Sequence, residues 1–349
     1  MLIDIWRLGA GKVLHFMLAG LIGLLVISSL GVYIWINYRS IDYANMPLEQ
    51  VIVAANSEYV GSCAVLVAQE KGFFTNEGLS VTIKPYTSGK AAMAAIVDKK
   101  ADIGTVADIP VMFAGLDNIP VSVIATIFAA KKDHGVVGRK DKGVGIAASL
   151  KGKRIGVPLS TSAHFTLDAF LNRQKLLPNE VTTRSYKPEE LPGALAQGDV
   201  DAVAIWEPFL STAMEKLGTN GVIFYGQDVY ESIYNIVGMQ SYISEHPETV
   251  KKILRGLISG ASVCRNNPQL AQEIVSQTTK IDIGALKASW PSYRFDIVLD
   301  QGLILALEDE ARWAIKNKLT SKEKVPNYLN NIYMHGLESL SPSVVTIIH

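Results

Sequence analysis

The sequence predicts an α/β protein made of two similar lobes that face one another across a cleft. Three observations predict it. First, a pattern recurs about a hundred residues along the chain. Ala101-Asp102-Ile103-Gly104-Thr105-Val106-Ala107-Asp108 returns as Val200-Asp201-Ala202-Val203-Ala204-Ile205-Trp206-Glu207. In each copy an Asp opens a short apolar run, a second acid closes it, and a proline follows (Pro110 or Pro208). Upstream, Val81–Tyr86 is echoed by Val181–Tyr186. Such a unit is too long for a solenoid repeat and reads as a duplicated lobe. Second, strand-like and helix-like segments alternate, as in folds with parallel sheets. Third, 349 residues with 48% hydrophobic and 19% charged side chains can bury a large core, and that length favours about two domains.

The elements follow in order. Val13–Ile36 contains no Asp, Glu, Lys or Arg. At about 1.5 Å per residue, a helix there exceeds the roughly 30 Å apolar thickness of a bilayer. Arg7 and Lys12 precede it, and Tyr33, Trp35 and Tyr38 sit where an interfacial aromatic belt would lie. Residues 1–45 are therefore expected to be a cytoplasmic stub, a single transmembrane anchor and a linker, with the rest of the chain extracytoplasmic. A cleavable signal peptide is the alternative, but this run is longer than the usual apolar core and no clear cleavage site follows it. No Cys stands at its end, which excludes a lipoprotein anchor.

After the polar linker Ile41–Gln50, the first lobe reads as strand Val51–Ala55, helix Cys63–Lys71, strand Leu79–Tyr86, helix Lys90–Lys99, strand Asp102–Val106, helix Ile109–Leu116 and strand Val121–Ala129. The second lobe repeats the order, with strand Arg154–Val157, helix Ala163–Lys175, strand Val181–Tyr186, helix Glu189–Ala196, strand Asp201–Ile205, helix Phe209–Leu217 and strand Val222–Tyr225. Between them Lys131–Gly143, with five basic residues and three glycines, reads as a crossing strand on a solvated surface. Ile233–Gln240 is the expected return strand. From Pro247 to Lys318 the chain reads as mostly helical, with core stripes at Val250, Ile253, Leu254, Leu257, Ile258 and Ala261 and at Leu303, Leu307, Ala311 and Ile315. Ser339–His349 is expected to be loosely held. The expected lobes are residues 46–130 with 238–349 (lobe 1) and 131–237 (lobe 2). Two crossings make a hinge, and a hinge beside a cleft suits a ligand clamp.

Formal net charge is zero, with 33 basic and 33 acidic residues, so there is no electrostatic case for nucleic acid. Cys63 and Cys264, the only cysteines, are too few for a disulfide framework or a Cys-rich metal site. Their apolar flanks favour two small buried hydrophobes, and one bridge between them stays open as the alternative. The six histidines show no metal-ligand spacing, and no G-x-S-x-G elbow or Walker loop is present. No catalytic residue, metal or cofactor is expected.

In open parallel sheets, ligands sit beyond the carboxyl ends of strands, where helices begin. Free N–H groups and the helix dipole there favour anions. Four junctions fit: Asn56-Ser57-Glu58-Tyr59, Thr87-Ser88-Gly89, Ser160-Thr161-Ser162, and Ala107-Asp108 with its echo Trp206-Glu207. The expected ligand-binding residues are Ser57, Tyr59, Ser88, Gly89, Asp108, Ser160, Thr161, Ser162, Trp206 and Glu207. Ser and Thr at these places also serve as ordinary helix caps, and Asp108 and Glu207 as first-turn acids. Trp206 is read as a pocket wall, with Tyr59, Phe128 and Tyr234 as further wall residues. His164 is read as a helix-surface or core residue, with ligand donation as the alternative.

Several short stretches together resemble a known family. Ala68-Gln69-Glu70-Lys71-Gly72-Phe73-Phe74, Ala101-Asp102-Ile103-Gly104, Val137-Gly138-Arg139-Lys140-Asp141, Leu150-Lys151-Gly152-Lys153-Arg154-Ile155-Gly156-Val157 and Trp206-Glu207-Pro208 are similar, in order and spacing, to the solute-binding proteins of ABC importers for nitrate, sulfonates and taurine. The resemblance implies a type II periplasmic-binding fold closing on a small anion or zwitterion, with an ABC permease and ATPase as partners. It implies that Ser88, Gly89, Asp108, Ser160, Thr161 and Glu207 line the cleft. A retained membrane helix departs from the family's soluble or lipid-anchored forms and leaves room for a sensor input instead of a transport receptor. An enzyme on a related fold would need a nucleophile–base pair or a metal in the cleft, and no motif supplies either.

Overall fold

The computed structural model describes residues 47–226 and 229–348. The apolar run 13–36, with its expected anchor, lies outside them. Among the described residues no helix is long and apolar enough to cross a membrane.

Among the described residues eleven strands form two sheets. In chain order they are β1 (Glu49–Asn56), β2 (Leu79–Tyr86), β3 (Ile103–Ala107), β4 (Val121–Ala130), β5 (His134–Arg139), β6 (Arg154–Val157), β7 (Thr182–Ser185), β8 (Ala202–Trp206), β9 (Gly221–Tyr225), β10 (Ser232–Met239) and β11 (Tyr293–Arg294). The first sheet runs β11-β4-β10-β3-β1-β2 and the second β7-β6-β8-β5-β9. Strands β1, β2 and β3 pair in parallel, as do β6, β7 and β8. Each crossing strand inserts against that direction. β5 is antiparallel to both β8 and β9, and β10 to both β3 and β4. Because β10 begins at Ser232 and already pairs with β4, the chain returns to the first sheet ahead of the expected boundary at 237/238.

The sequence repeat has a structural cause. Asp102 takes the backbone N–H of Ile52 on its carboxylate (2.7 Å) and gives its own N–H to the Ile52 carbonyl (2.9 Å). Asp201 does the same with Arg154, at 2.9 and 2.8 Å. Each Asp ties the start of the third strand of its lobe to the first. The Val81 and Val181 segments become the parallel edge strands β2 and β7.

Seven helices matter for the core and the cleft: α1 (Cys63–Glu70), α2 (Gly89–Val97), α3 (Asp108–Leu116), α4 (Ser162–Arg173), α5 (Phe209–Leu217), α6 (Pro247–Asn266) and α7 (Gln301–Lys316). The α6 stripe Val250, Ile253, Leu254, Leu257 and Ala261 is buried, as are Leu303, Leu307 and Ala311 of α7. Helix α6 packs on α1 at Gly260, where a Cβ would collide with the Ala64 carbonyl, so no other residue fits there without moving a backbone.

Three expectations are corrected. Lys131–Gly143 is no solvated surface strand: His134–Gly138 is buried between β8 and β9, because the apolar Gly135-Val136-Val137-Gly138 centre outweighs its basic flanks. Cys63 and Cys264 are not two separate buried thiols but a disulfide, joining α1 to the end of α6 across 201 residues of sequence. The tail through Ile348 is held, since Leu299 exchanges backbone hydrogen bonds with Val344 and Thr346 and Ile347 is buried.

Candidate functional site

A narrow cavity lies where helices α2, α3 and α4 begin, at the carboxyl ends of β1, β3, β6 and β8. Its walls are Asn56, Tyr59, Ser88, Gly89, Lys90, Ala107, Pro110, His134, Thr161, Ser162, Trp206, Ser232 and Tyr234. Both sheets contribute, and this cavity is small, about 20 Å³.

Local structure places each group. Ser88 has extended backbone and caps α2, its Oγ accepting the Ala91 N–H at 3.2 Å. Gly89 is required by close approach: a Cβ there would stand 2.7 Å from the Ala107 nitrogen and 3.0 Å from the Tyr234 hydroxyl. Thr161 precedes α4, and its hydroxyl donates to the Pro158 carbonyl at 2.6 Å. Ser160, before it, has φ 58°, and its N–H points to His164 Nδ1 at 3.4 Å. Tyr59 packs edge-on against Tyr234 and Phe128, with ring centroids 4.8 and 5.5 Å apart. The Tyr59 hydroxyl donates to Asp133 Oδ2 at 2.7 Å.

No Asp or Glu stands in this wall, and Lys90 adds a positive charge. Lys90 Nζ also crosses the cleft to donate to the Leu159 carbonyl at 3.1 Å. With three helix N-termini opening on the space, the local field favours an anion. Polar atoms await partners here. The Tyr234 hydroxyl and His134 Nδ1 are buried without hydrogen bonds, as is Asp133 Oδ1 behind the wall. Buried polar atoms left unpaired are rare and mark places where a ligand or water belongs.

Of the residues expected from sequence, Tyr59, Ser88, Gly89, Thr161, Ser162 and Trp206 line this cavity. Ser57, Asp108, Ser160 and Glu207 are not among its wall residues. Asp108 is the fully buried first residue of α3, accepting from the Ile109 N–H (2.8 Å) and, on both oxygens, from the Tyr230 hydroxyl (2.7 and 2.9 Å). Burial pushes its carboxyl up, and buried Glu310 beside it is pushed up further by desolvation and then by the Asp108 charge. Glu207, two residues ahead of α5, accepts the Ser211 N–H at 3.1 Å and faces a separate small cavity with Val60, Ile281 and Tyr293. Desolvation raises its pKa as well.

Asn56, Lys90, His134 and Ser232 were not expected as ligand-binding residues. Lys90 was legible as the residue after Gly89 at a helix start, whereas His134 was concealed in a basic stretch. His164 packs edge-on against Trp313 at 5.3 Å and does not reach the cavity.

Residues 61–271 match a family model described as NMT1/THI5 like. The taurine-binding periplasmic protein of Escherichia coli (strain K12) is 26% identical over 209 residues, 58% of this chain and 64% of that protein. A protein of Bacillus subtilis (strain 168), provisionally named as binding aliphatic sulfonates, is 25% identical over 281 residues, 77% of this chain and 83% of that one. The structure of the alkanesulfonate-binding protein SsuA from Xanthomonas axonopodis pv. citri bound to MOPS superposes with a TM-score of 0.71 at 18% identity, covering 82% of this chain and 99% of that one. The last likeness is one of fold: an α/β periplasmic-binding architecture of two sheets flanked by helices.

Proposed function

The chain belongs to the NMT1/THI5-like family, and we propose that it is an extracytoplasmic solute-binding protein. It would hold a small anion or zwitterion of the sulfonate or taurine type between its lobes and present it to an ABC permease and its ATPase. The observation that carries this reading is the cleft wall, which has no carboxylate, one ammonium from Lys90 and three helix starts. A cation would find no counter-charge in that wall. An anion would find hydroxyls, free N–H groups and Lys90. The Cys63–Cys264 bridge supports an extracytoplasmic compartment, since disulfides persist outside the reducing cytoplasm. A membrane anchor at residues 13–36 would keep the receptor beside its permease.

In this reading Tyr59, Ser88, Gly89, Thr161, Ser162 and Trp206 contact the ligand together with Asn56, Lys90, His134, Ser232 and Tyr234. Ser57, Asp108, Ser160 and Glu207 support the frame. In this reading the solute enters as the hinge opens, and closure on the ligand creates the surface that the permease distinguishes. The test is calorimetric titration of the full chain with ethanesulfonate and taurine, beside Lys90→Gln. Removing one charge-assisted hydrogen bond should weaken sulfonate affinity about tenfold or more. Unchanged affinity in Lys90→Gln would move the anion elsewhere.

A further inference from the structure

His134 and Ser162 come together in the cleft although no sequence motif joins them. His134 Nε2 lies 2.9 Å from Ser162 Oγ. On its other side, His134 Nδ1 lies 3.1 Å from Asp133 Oδ2. The hydroxyl, the imidazole and the carboxylate thus stand in the order of a nucleophile, a base and an orienting acid. We infer that this cleft also hydrolyses small carboxylic esters, with Ser162 as nucleophile and His134 as general base.

The scaffold favours that role. His134 opens β5 and pairs with Trp206 of β8. Tyr230 holds the imidazole edge-on at 5.0 Å, and Trp206 lies 5.8 Å from it. The Tyr59 hydroxyl fixes the Asp133 carboxylate from a third direction. Ser162 is the first residue of α4, a helix of 12 residues, so its hydroxyl stands at the positive end of the helix dipole. A purely structural His–Ser bond gives no reason for His134 Nδ1 and Asp133 Oδ1 to be buried without an aligned partner. The Nδ1 contact with Asp133 is close but off the N–H axis, and such contacts commonly tighten when substrate binds.

The step balances with water as the only co-reactant. Ser162 Oγ attacks the carbonyl carbon while His134 Nε2 takes the hydroxyl proton. The C–O bond to the leaving alcohol breaks, and His134 returns that proton to the alcohol. Water then attacks the acyl-serine as His134 takes its proton; the acyl bond to Ser162 Oγ breaks, His134 returns that proton to Oγ, and the carboxylic acid leaves. Asp133 acts as a positioning residue that keeps the proton of resting His134 on Nδ1. The narrow space limits the acyl group to a small one. Preference for an ester bearing an anionic group rests on the sulfonate reading above.

The experiment uses the full chain and 4-nitrophenyl acetate. A burst of nitrophenolate is expected, with an acetyl group found on the Ser162 peptide by mass spectrometry. Ser162→Ala and His134→Gln should each slow turnover about a hundredfold or more, with melting temperature as the check on folding. Asp133→Asn should lower kcat with KM unchanged. Hydrolysis equal in wild type and a folded Ser162→Ala, or an unmodified Ser162 peptide, overturns the inference. Ethanesulfonate added to the assay separates the two readings. Inhibition supports both, and hydrolysis that ignores the sulfonate leaves the esterase standing while removing the anion from this cleft. Sulfonate binding without Ser162 acylation keeps only the receptor.

Discussion

Glu310 shows how a single buried acid can set the pH response of this fold. It sits on α7 against Asp108 of α3, and its Oε2 is buried with no donor facing it. Its folded pKa lies well above the ordinary 4.5, because burial and the neighbouring Asp108 charge both oppose ionisation. The sign follows from linkage. The folded state holds a proton that the unfolded state has released, so this group's stabilisation is complete below pH 4.5 and is lost as pH rises toward the folded value. Glu310→Gln keeps a donor for Asp108 without a charge to lose. Melting curves across pH should show a flatter slope for this variant and a higher melting temperature near neutrality. Parallel curves for the two proteins would mean that Glu310 does not carry the proton.

Single residues also show where sequence reading stops. Tyr59, Ser88, Thr161 and Ser162 were legible because a strand ending in hydroxyl residues before a helix has one main geometry. Asp108 and Glu207 shared that signal but turn to Tyr230 and to the Ser211 N–H, because an acid at a helix start can pair with protein donors as readily as with the cleft. His134 was hidden because lysines flank a strand whose centre is buried.

At the scale of elements, the strand-start aspartates and the α1–α6 contact carry the frame. Asp102 and Asp201 make matching bonds in the two lobes, so the repeat was visible in the sequence for a backbone reason independent of ligand. Asp201 also pairs with the Arg154 guanidinium at 2.7 Å, and that guanidinium together with its backbone bond lowers its pKa. The disulfide was not legible, because its cysteines lie in helices far apart in sequence and meet only once α6 packs back on α1. Closing so long a loop restricts the unfolded chain by about 5 kcal/mol in the chain-entropy model. Cys63→Ala with Cys264→Ala should therefore lower the melting temperature in oxidising buffer, and a reductant should lower the wild type toward the same value. A wild type indifferent to reductant would contradict a closed bridge. Gly260→Val tests the same contact by overpacking, and chemical unfolding should show a loss of about 1–3 kcal/mol or more.

Across the described residues, polar side-chain links join the two lobes. Lys90 reaches the Leu159 carbonyl, and Trp313 Nε1 on α7 donates to Asp168 Oδ2 on α4 at 2.9 Å. Trp313→Phe removes the second link and should shift the unliganded population toward open lobes. Small-angle scattering should then give a larger radius of gyration without ligand and a closed value with it. Equal radii for the variant and the wild type would show that this link does not set the balance.

The anion reading rests most directly on the cleft wall, and thermal unfolding of the full chain tests it. Ethanesulfonate and taurine are compared with the uncharged ethyl methyl sulfone and with tetramethylammonium. At about a hundred times its dissociation constant, a cleft ligand adds roughly 2.7 kcal/mol to the folded state. The account predicts that the sulfonates raise the melting temperature and that the sulfone and the cation leave it unchanged. A rise with tetramethylammonium, or none with any anion of this size, would contradict it.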